Sequence, residues 1–225
     1  MKRSPVFDQM VTDAAFTAHE AQLHETDLFG MQRWDVDFDA GTFTFGGSGG
    51  TTFGVQLLGA TAPGPRSWLW AWANPQDFKS TVLRAANSTR DMGAHYGVPE
   101  LTTGEIGFDA GDVEGLGLGY ELSLPARLAS GLWFGYAGPF GGGSRLWVLL
   151  EGLTLPVPTI ARTTRVFMEA ISMMTISDHR RAIASYATQR QAPWDGEHLS
   201  VSDGVIQIVF DEQGRIGSVQ ASSGS

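Results

Sequence analysis

Ser67-Trp68-Leu69-Trp70-Ala71-Trp72-Ala73-Asn74-Pro75 reads as a strand running into a helix. Indoles fall at every second position, so a strand from Trp68 to Ala73 would carry Trp68, Trp70 and Trp72 on one face and Leu69, Ala71 and Ala73 on the other. A strand apolar on both faces belongs in the middle of a sheet. Asn74-Pro75 then marks a boundary, because asparagine is a good N-cap, proline fits the first helical turn and Asp77 complements the helix dipole. Phe78, Val82, Ala85, Thr89, Met92 and Tyr96 follow at spacings of four and three, one stripe of a helix that packs on the sheet and ends near Gly97.

Upstream, Phe7, Met10, Val11, Ala14, Ala18 and Ala21 give Val6 to His24 a helical period. The period becomes two at Trp34-Asp35-Val36-Asp37-Phe38 and again at Thr42 to Phe45, a half-buried hairpin, and the loop Gly46 to Gly50 leads to a strand over Phe53 to Thr61. Downstream, Asp112 to Ala129 leaves helix and strand open. Leu132 to Tyr136 and Arg145 to Leu150 read as strands around the loop Gly138 to Ser144. Pro156 and Pro158 precede a helix over Thr159 to Met174, and Asp178 caps another from His179 to Arg190. His198 to Ser202, Val205 to Phe210 and Arg215 to Val219 form a meander whose Asp203-Gly204 turn is a strong hairpin signal. The order implies an α+β fold, a curved antiparallel sheet with helices packed mainly on one face. It predicts a single domain over 1–220 and a disordered tail, 221–225. Ser67-Trp68-Leu69-Trp70 and Ser144-Arg145-Leu146-Trp147 echo each other, which suggests two related halves, 1–100 and 101–220.

Hydrophobic residues make up 42% of the 225 and charged residues only 17%, which excludes a disordered chain. There is no cysteine, so disulfide scaffolds, thiol nucleophiles, iron–sulfur clusters and cysteine-ligated zinc are all excluded. The net charge of −9 argues against nucleic acid as a partner, since phosphate neutralisation dominates that affinity. No run approaches the apolar length of a membrane span, and the first residues show no signal peptide, so the expected location is the cytoplasm. Acidic residues are concentrated in 1–60 and basic ones in 156–194, so the molecule is electrostatically polar.

Four motifs invite chemistry and fail on spacing. His19 and His24 are five residues apart where a helical zinc pair needs four, so a solvated helix end is expected there. Asp35, Asp37 and Asp39 begin like a calcium loop, but Ala40 stands where glycine is required and Gly46 where the bidentate glutamate belongs, leaving solvent-facing strand polarity. Ser48, within Gly46 to Gly50, matches a hydrolase elbow without the following helix. Gly115, Gly117 and Gly119 lack the last glycine of a dinucleotide fingerprint, with Tyr120 in its place. No metal and no cofactor are expected.

The tryptophans remain. Rings in a row can form a platform for a flat ligand, helped by Trp133, Trp147, Tyr136 and Tyr96 if these converge, or can fill a core between sheet and helices. Core packing is the expected role of at least two of the three indoles. The candidate ligand-binding residues are Trp68, Trp70, Trp72, Asn74, Tyr136 and Trp147. The first functional expectation is a non-catalytic binding module for a small aromatic or apolar ligand, or for a basic protein partner of the acidic N-terminal half, an inhibitor or immunity-type role. One alternative is a hydrolytic enzyme using carboxylates with His95 or His198, for which there is no triad spacing; another is a structural subunit of a homo-oligomer.

The runs Trp34 to Phe38, Thr42 to Phe45, Leu58-Gly59-Ala60-Thr61 and Trp68 to Pro75 together resemble an uncharacterised bacterial family of unknown function marked by a W-L-W-A-W-A-N signature. The resemblance covers mainly 30–100, with a looser match at Tyr136 to Leu150. It implies no activity, substrate or catalytic residue.

Overall fold

The structure, a computed structural model, describes residues 3–30, 32–47 and 49–223. Helix α1 (Pro5–Phe29) begins where Ser4 Oγ accepts the Phe7 N–H at 3.3 Å, with Pro5 in the first turn. It ends at Gly30, whose φ of 57° an L side chain adopts only with strain. The chain forms two compact units, one built from the described residues up to Phe7 with Glu25–Leu153, the other from Asp8–His24 with Thr154 onward.

The first unit contains β1 (Trp34–Asp37), β2 (Thr42–Phe45), β3 (Thr51–Ala62), β4 (Ser67–Trp70), α2 (Arg84–Tyr96), α3 (Pro99–Thr102), β5 (Glu105–Gly107), α4 (Leu116–Ser130), β6 (Gly135–Phe140) and β7 (Ser144–Glu151). The strands make a seven-stranded sheet, antiparallel at every pairing. β3 is its hub: β2 pairs with its first residues, β4 with its last, and β7 runs along Gly54 to Thr61. Cross-strand register divides the side chains. Trp34, Phe43, Phe45, Phe53, Leu57, Val148 and Tyr136 share one face, whereas Gln56, Trp68, Trp70 and Trp147 share the other, on which α2 and α4 pack. The echoing stretches at Trp70 and Trp147 both pair with Gly59, one on each side of β3.

Here the structure corrects the reading of the tryptophan stretch. The strand stops at Trp70, whose N–H makes a last cross-strand bond to the Gly104 carbonyl at 3.0 Å, and Ala71–Ala73 turn into a short 3-10 helix closed by the Asn74 N–H on the Ala71 carbonyl at 3.3 Å. Trp72 therefore leaves the row. Asn74 caps no long helix either: its backbone is extended, as the residue before a proline prefers, and its Oδ1 accepts the Gln76 N–H at 2.9 Å in a local turn. α2 starts only at Arg84 because its free N–H groups find a partner in the sheet, where the buried Gln56 accepts the Ala85 N–H at 3.2 Å and donates to the Thr81 carbonyl at 2.9 Å. The stretch left open, Asp112 to Ala129, resolves as helix, a 3-10 turn at Val113–Gly115 and then α4, whose first turn is held by Asp112 accepting from Gly117 and Leu118 at 2.8 and 2.9 Å.

The second unit packs Asp8–His24 of α1 with α5 (Ile160–Met173) and α6 (His179–Gln189) on one face of a three-stranded sheet, β8 (His198–Val201), β9 (Gly204–Phe210) and β10 (Ile216–Ser223). Phe16, Phe167 and Tyr186 form its aromatic centre above Ile206 and Ile208. Thr159 and Asp178 cap α5 and α6. The β8–β9 turn also serves α5, since Asp203 accepts the Ile160 N–H at 2.7 Å. β10 continues to Ser223 by pairing Ala221, Ser222 and Ser223 with Ile206, Val205 and Gly204, where the sequence suggested a disordered tail; residues 224 and 225 lie outside the described residues. Among the described residues no helix is long and apolar enough to cross a membrane.

Candidate functional site

The six aromatic and amide candidates do not converge. Trp68 and Trp70 are both 0% exposed and pack edge to face, with Trp147 beside Trp68 at 6.1 Å between ring centres. Trp70 Nε1 donates to the Glu100 carbonyl at 3.2 Å. These rings fill the layer between the sheet and α3 and α4, and offer no surface to a ligand. Trp72 is half-buried under the Arg90 guanidinium, 5.3 Å from its ring, and Asn74 is spent on its local turn. Tyr136 lies on the opposite face of the sheet among Trp34, Phe43 and Phe45, with ring centres 5.4, 5.4 and 5.8 Å away. Trp34 in turn stacks on Phe43 at 5.5 Å and 8°. Tyr96 is exposed beside His95, and the half-buried Trp133 gives its carbonyl to Arg127.

Behind this aromatic face is a polar cluster that the sequence reading missed. Arg127, 5% exposed, reaches from α4 to the Trp133 carbonyl, with Glu25 of α1 and Tyr120 beside it. Burial pushes the Glu25 carboxyl up to about 7, against the opposing pull of the Arg127 guanidinium and the Gly135 N–H. Burial also raises the Tyr120 and Tyr136 hydroxyls and disfavours the charge on Arg127. The Trp34 side chain hydrogen-bonds Tyr136. Periodicity could have pointed to Arg127, which lies in a run of otherwise apolar helical positions; nothing local marks Glu25.

The second unit also buries charge. His19 and Glu20 are 3% and 0% exposed, so the expected solvated helix end is a buried segment instead. Glu20 pairs with Arg190 at 3.0 Å, and burial raises its carboxyl despite that partner. His19 Nε2 is 3.4 Å from Glu169, and burial lowers its tendency to protonate. His198 Nδ1 lies 3.1 Å from Asp195 Oδ2 on the surface. No group of three or more histidine, aspartate or glutamate side chains is placed to hold a metal ion among the described residues. Ser48 lies outside them. The glycines 115, 117 and 119 open α4, and two of them serve close packing: a Cβ on Gly115 would meet Phe108 at 2.7 Å, and one on Gly119 would meet Trp147 at 2.4 Å.

An accessible groove of about 510 Å³ in the first unit gathers charge, lined by Asp35, Val36, Asp37, Phe38 and Asp39 on one side and Gln76, Asp77, Phe78 and Lys79 on the other. β1 places Asp35 and Asp37 in solvent, and the turn after it, closed by Asp37 accepting the Ala40 N–H at 2.8 Å, carries Asp39. Phe38 and Phe78 meet edge to face at 5.5 Å. Lys79 Nζ donates to the Asp39 carbonyl at 2.6 Å and lies 3.6 Å from its carboxylate. β1 pairs with β2 alone, so its other edge is unpaired among the described residues. A second cleft, of about 560 Å³, is floored by Phe7, Ile106 and Phe108, and on its walls Arg3 pairs with Glu121 and Glu100 accepts from Ser4.

No curated protein and no solved structure matches the chain. A family model does, described as a family of unknown function, DUF6882, and it spans residues 8–153, hence α1 and nearly the whole first unit, including the stretch 101–130. The chain belongs to that family of unknown function.

Proposed function

We propose that this chain is a non-catalytic binding protein whose groove beside β1 takes an extended, cationic segment of a protein partner. The observation that carries the reading is the gathering of four carboxylates, Asp35, Asp37, Asp39 and Asp77, around the Phe38–Phe78 pair, with a lysine ammonium already seated on Asp39. Lysine and arginine side chains would meet the carboxylates, their aliphatic stems would lie on the two phenyl rings, and an extended backbone could hydrogen-bond the open edge of β1. Exposed charge pairs contribute only about 0.2–1 kcal/mol each, so the affinity rests on several acting together and is salt-sensitive. An inhibitor or immunity-type role fits such a surface, and the lack of cysteine suits a reducing compartment such as the cytoplasm.

Titration of a lysine- and arginine-rich peptide, followed calorimetrically at low and high salt against an acidic peptide of equal length, tests this. Binding is expected for the basic peptide alone. It should weaken roughly tenfold in Asp35→Asn/Asp37→Asn, whose side chains are exposed and whose loss leaves the fold intact. No binding at low salt, or equal binding by the variant, overturns the reading.

A further inference from the structure

The second cleft of the first unit, at about 560 Å³, has the size and the make-up of a small-molecule site, an apolar floor with a few charged groups on its walls. Phe7 and Ile106 are buried beneath it, and Phe108 and Leu118 are half-buried in its lining. Its walls carry four carboxylates, Glu100, Asp109, Asp112 and Glu121, against one guanidinium, Arg3. The donors that an anion would need are already taken. Asp112 accepts the Gly117 and Leu118 N–H groups of the first turn of α4 at 2.8 and 2.9 Å, and Glu100 accepts the Ser4 N–H and hydroxyl at 2.5 and 2.9 Å. Arg3 is paired with Glu121. Acceptors are left over, because Asp109 is exposed and a carboxylate can accept several hydrogen bonds.

We propose that this cleft binds a small organic ammonium ion, an amine with an aryl or alkyl body, whose head is held by Asp109 and Glu121 and whose body lies on Phe7, Ile106, Phe108 and Leu118. An ammonium group donates and does not accept, which suits walls rich in acceptors and poor in free donors. The excess of carboxylates attracts it, and the phenyl ring of Phe108 can add a cation–π contact. An anion of the same size would meet those carboxylates with no uncommitted donor, and a neutral molecule would gain the floor alone. Arg3 and the ligand head compete for Glu121, so removal of the arginine side chain strengthens binding, whereas at an anion site it would weaken it. The cleft shares no residue with the groove beside β1 and does not depend on the reading of that groove.

Titration of the full chain with phenethylammonium, hydrocinnamate and phenethyl alcohol, followed by amide NMR shifts, tests the proposal. Gly107, Gly111 and Gly117 line the cleft, and their signals report on it. The ammonium ion is expected to bind there roughly tenfold more tightly than the anion or the alcohol of similar size. Asp109→Asn/Glu121→Gln should weaken it roughly tenfold, and Arg3→Ala should tighten it by a factor of about three. Asp35→Asn/Asp37→Asn should leave these shifts unchanged, so failure here and failure at the β1 groove are told apart. Circular dichroism and melting check that each variant folds, and the comparison of the three probes on the wild type needs no variant. No shift of the three glycines at millimolar ammonium, equal affinity for the three probes, or an Arg3→Ala variant that binds no tighter overturns the proposal.

Discussion

Gly119 of α4 lies so close to the indole of Trp147 on β7 that a Cβ added to it would stand 2.4 Å from both Cε2 and Cζ2 of that ring. The approach lets α4 settle on the sheet over a flat aromatic surface, and explains a glycine in the helix despite its cost of roughly 1 kcal/mol relative to alanine. Gly119→Ala should therefore destabilise the protein by about 1–3 kcal/mol in chemical denaturation, since a rigid indole and a strand must give way. Gly117→Ala, whose added Cβ would meet only the Asp112 carboxylate at 3.3 Å, should stay within about 0.5 kcal/mol of wild type.

Trp68 and Trp70 are fully enclosed and Trp72 is not, so the same substitution has unequal effects along one short stretch. Trp68→Ala and Trp70→Ala should each cost about 3–5 kcal/mol, enough to unfold a marginally stable domain. Trp72→Ala should cost far less. Iodide quenching of the single Trp→Phe variants checks the same point: loss of Trp72 should lower the quenchable fraction, whereas loss of Trp70 should raise it.

Asn74 accepts one backbone N–H, from Gln76, and an aspartate can do the same. Asn74→Asp is expected to be nearly neutral, and Asn74→Ala to cost about 0.5–1 kcal/mol in thermal or denaturant melts. A loss of about 2 kcal/mol, as for a strong cap on a long helix, would contradict the turn.

Glu25 titrates near 7 in the folded protein, above the 4.5 of an unperturbed glutamate, because burial favours its neutral form. The folded state then holds a proton that the unfolded state releases, so stability is fully present below about pH 4.5 and declines as the pH rises through about 7. Glu25→Gln mimics the neutral carboxyl. It should flatten this part of the pH profile and, at pH 8, exceed wild type by about 1–3 kcal/mol, measured as unfolding free energy across the pH range. An unchanged slope would place the titration on another group.

What the sequence determined by itself is what acts over a few residues. The Asp178 cap, the alternation of Trp34 to Phe45, and the hairpin turn at Asp203-Gly204 each carry their signal within a few residues, and α6, the β1–β2 hairpin and the β8–β9 turn stand where those signals put them. The α+β class with antiparallel pairing follows from the same local signals. The tertiary structure decided where competing partners are distant in sequence. The tryptophan strand ends at Trp70, where its pairing with β5 runs out and Ala71–Ala73 turn, and the Gln56 amide starts α2 at Arg84 in place of Asn74. Likewise Asp77 and Lys79 come to face Asp35 to Asp39, Glu20 is buried and Glu25 half-buried, only once strands and helices have packed. A backbone N–H bonds whichever acceptor the folded chain brings within 3 Å or so, and a carboxylate's environment is set by everything around it. Neither is a property of the neighbouring residues in the chain.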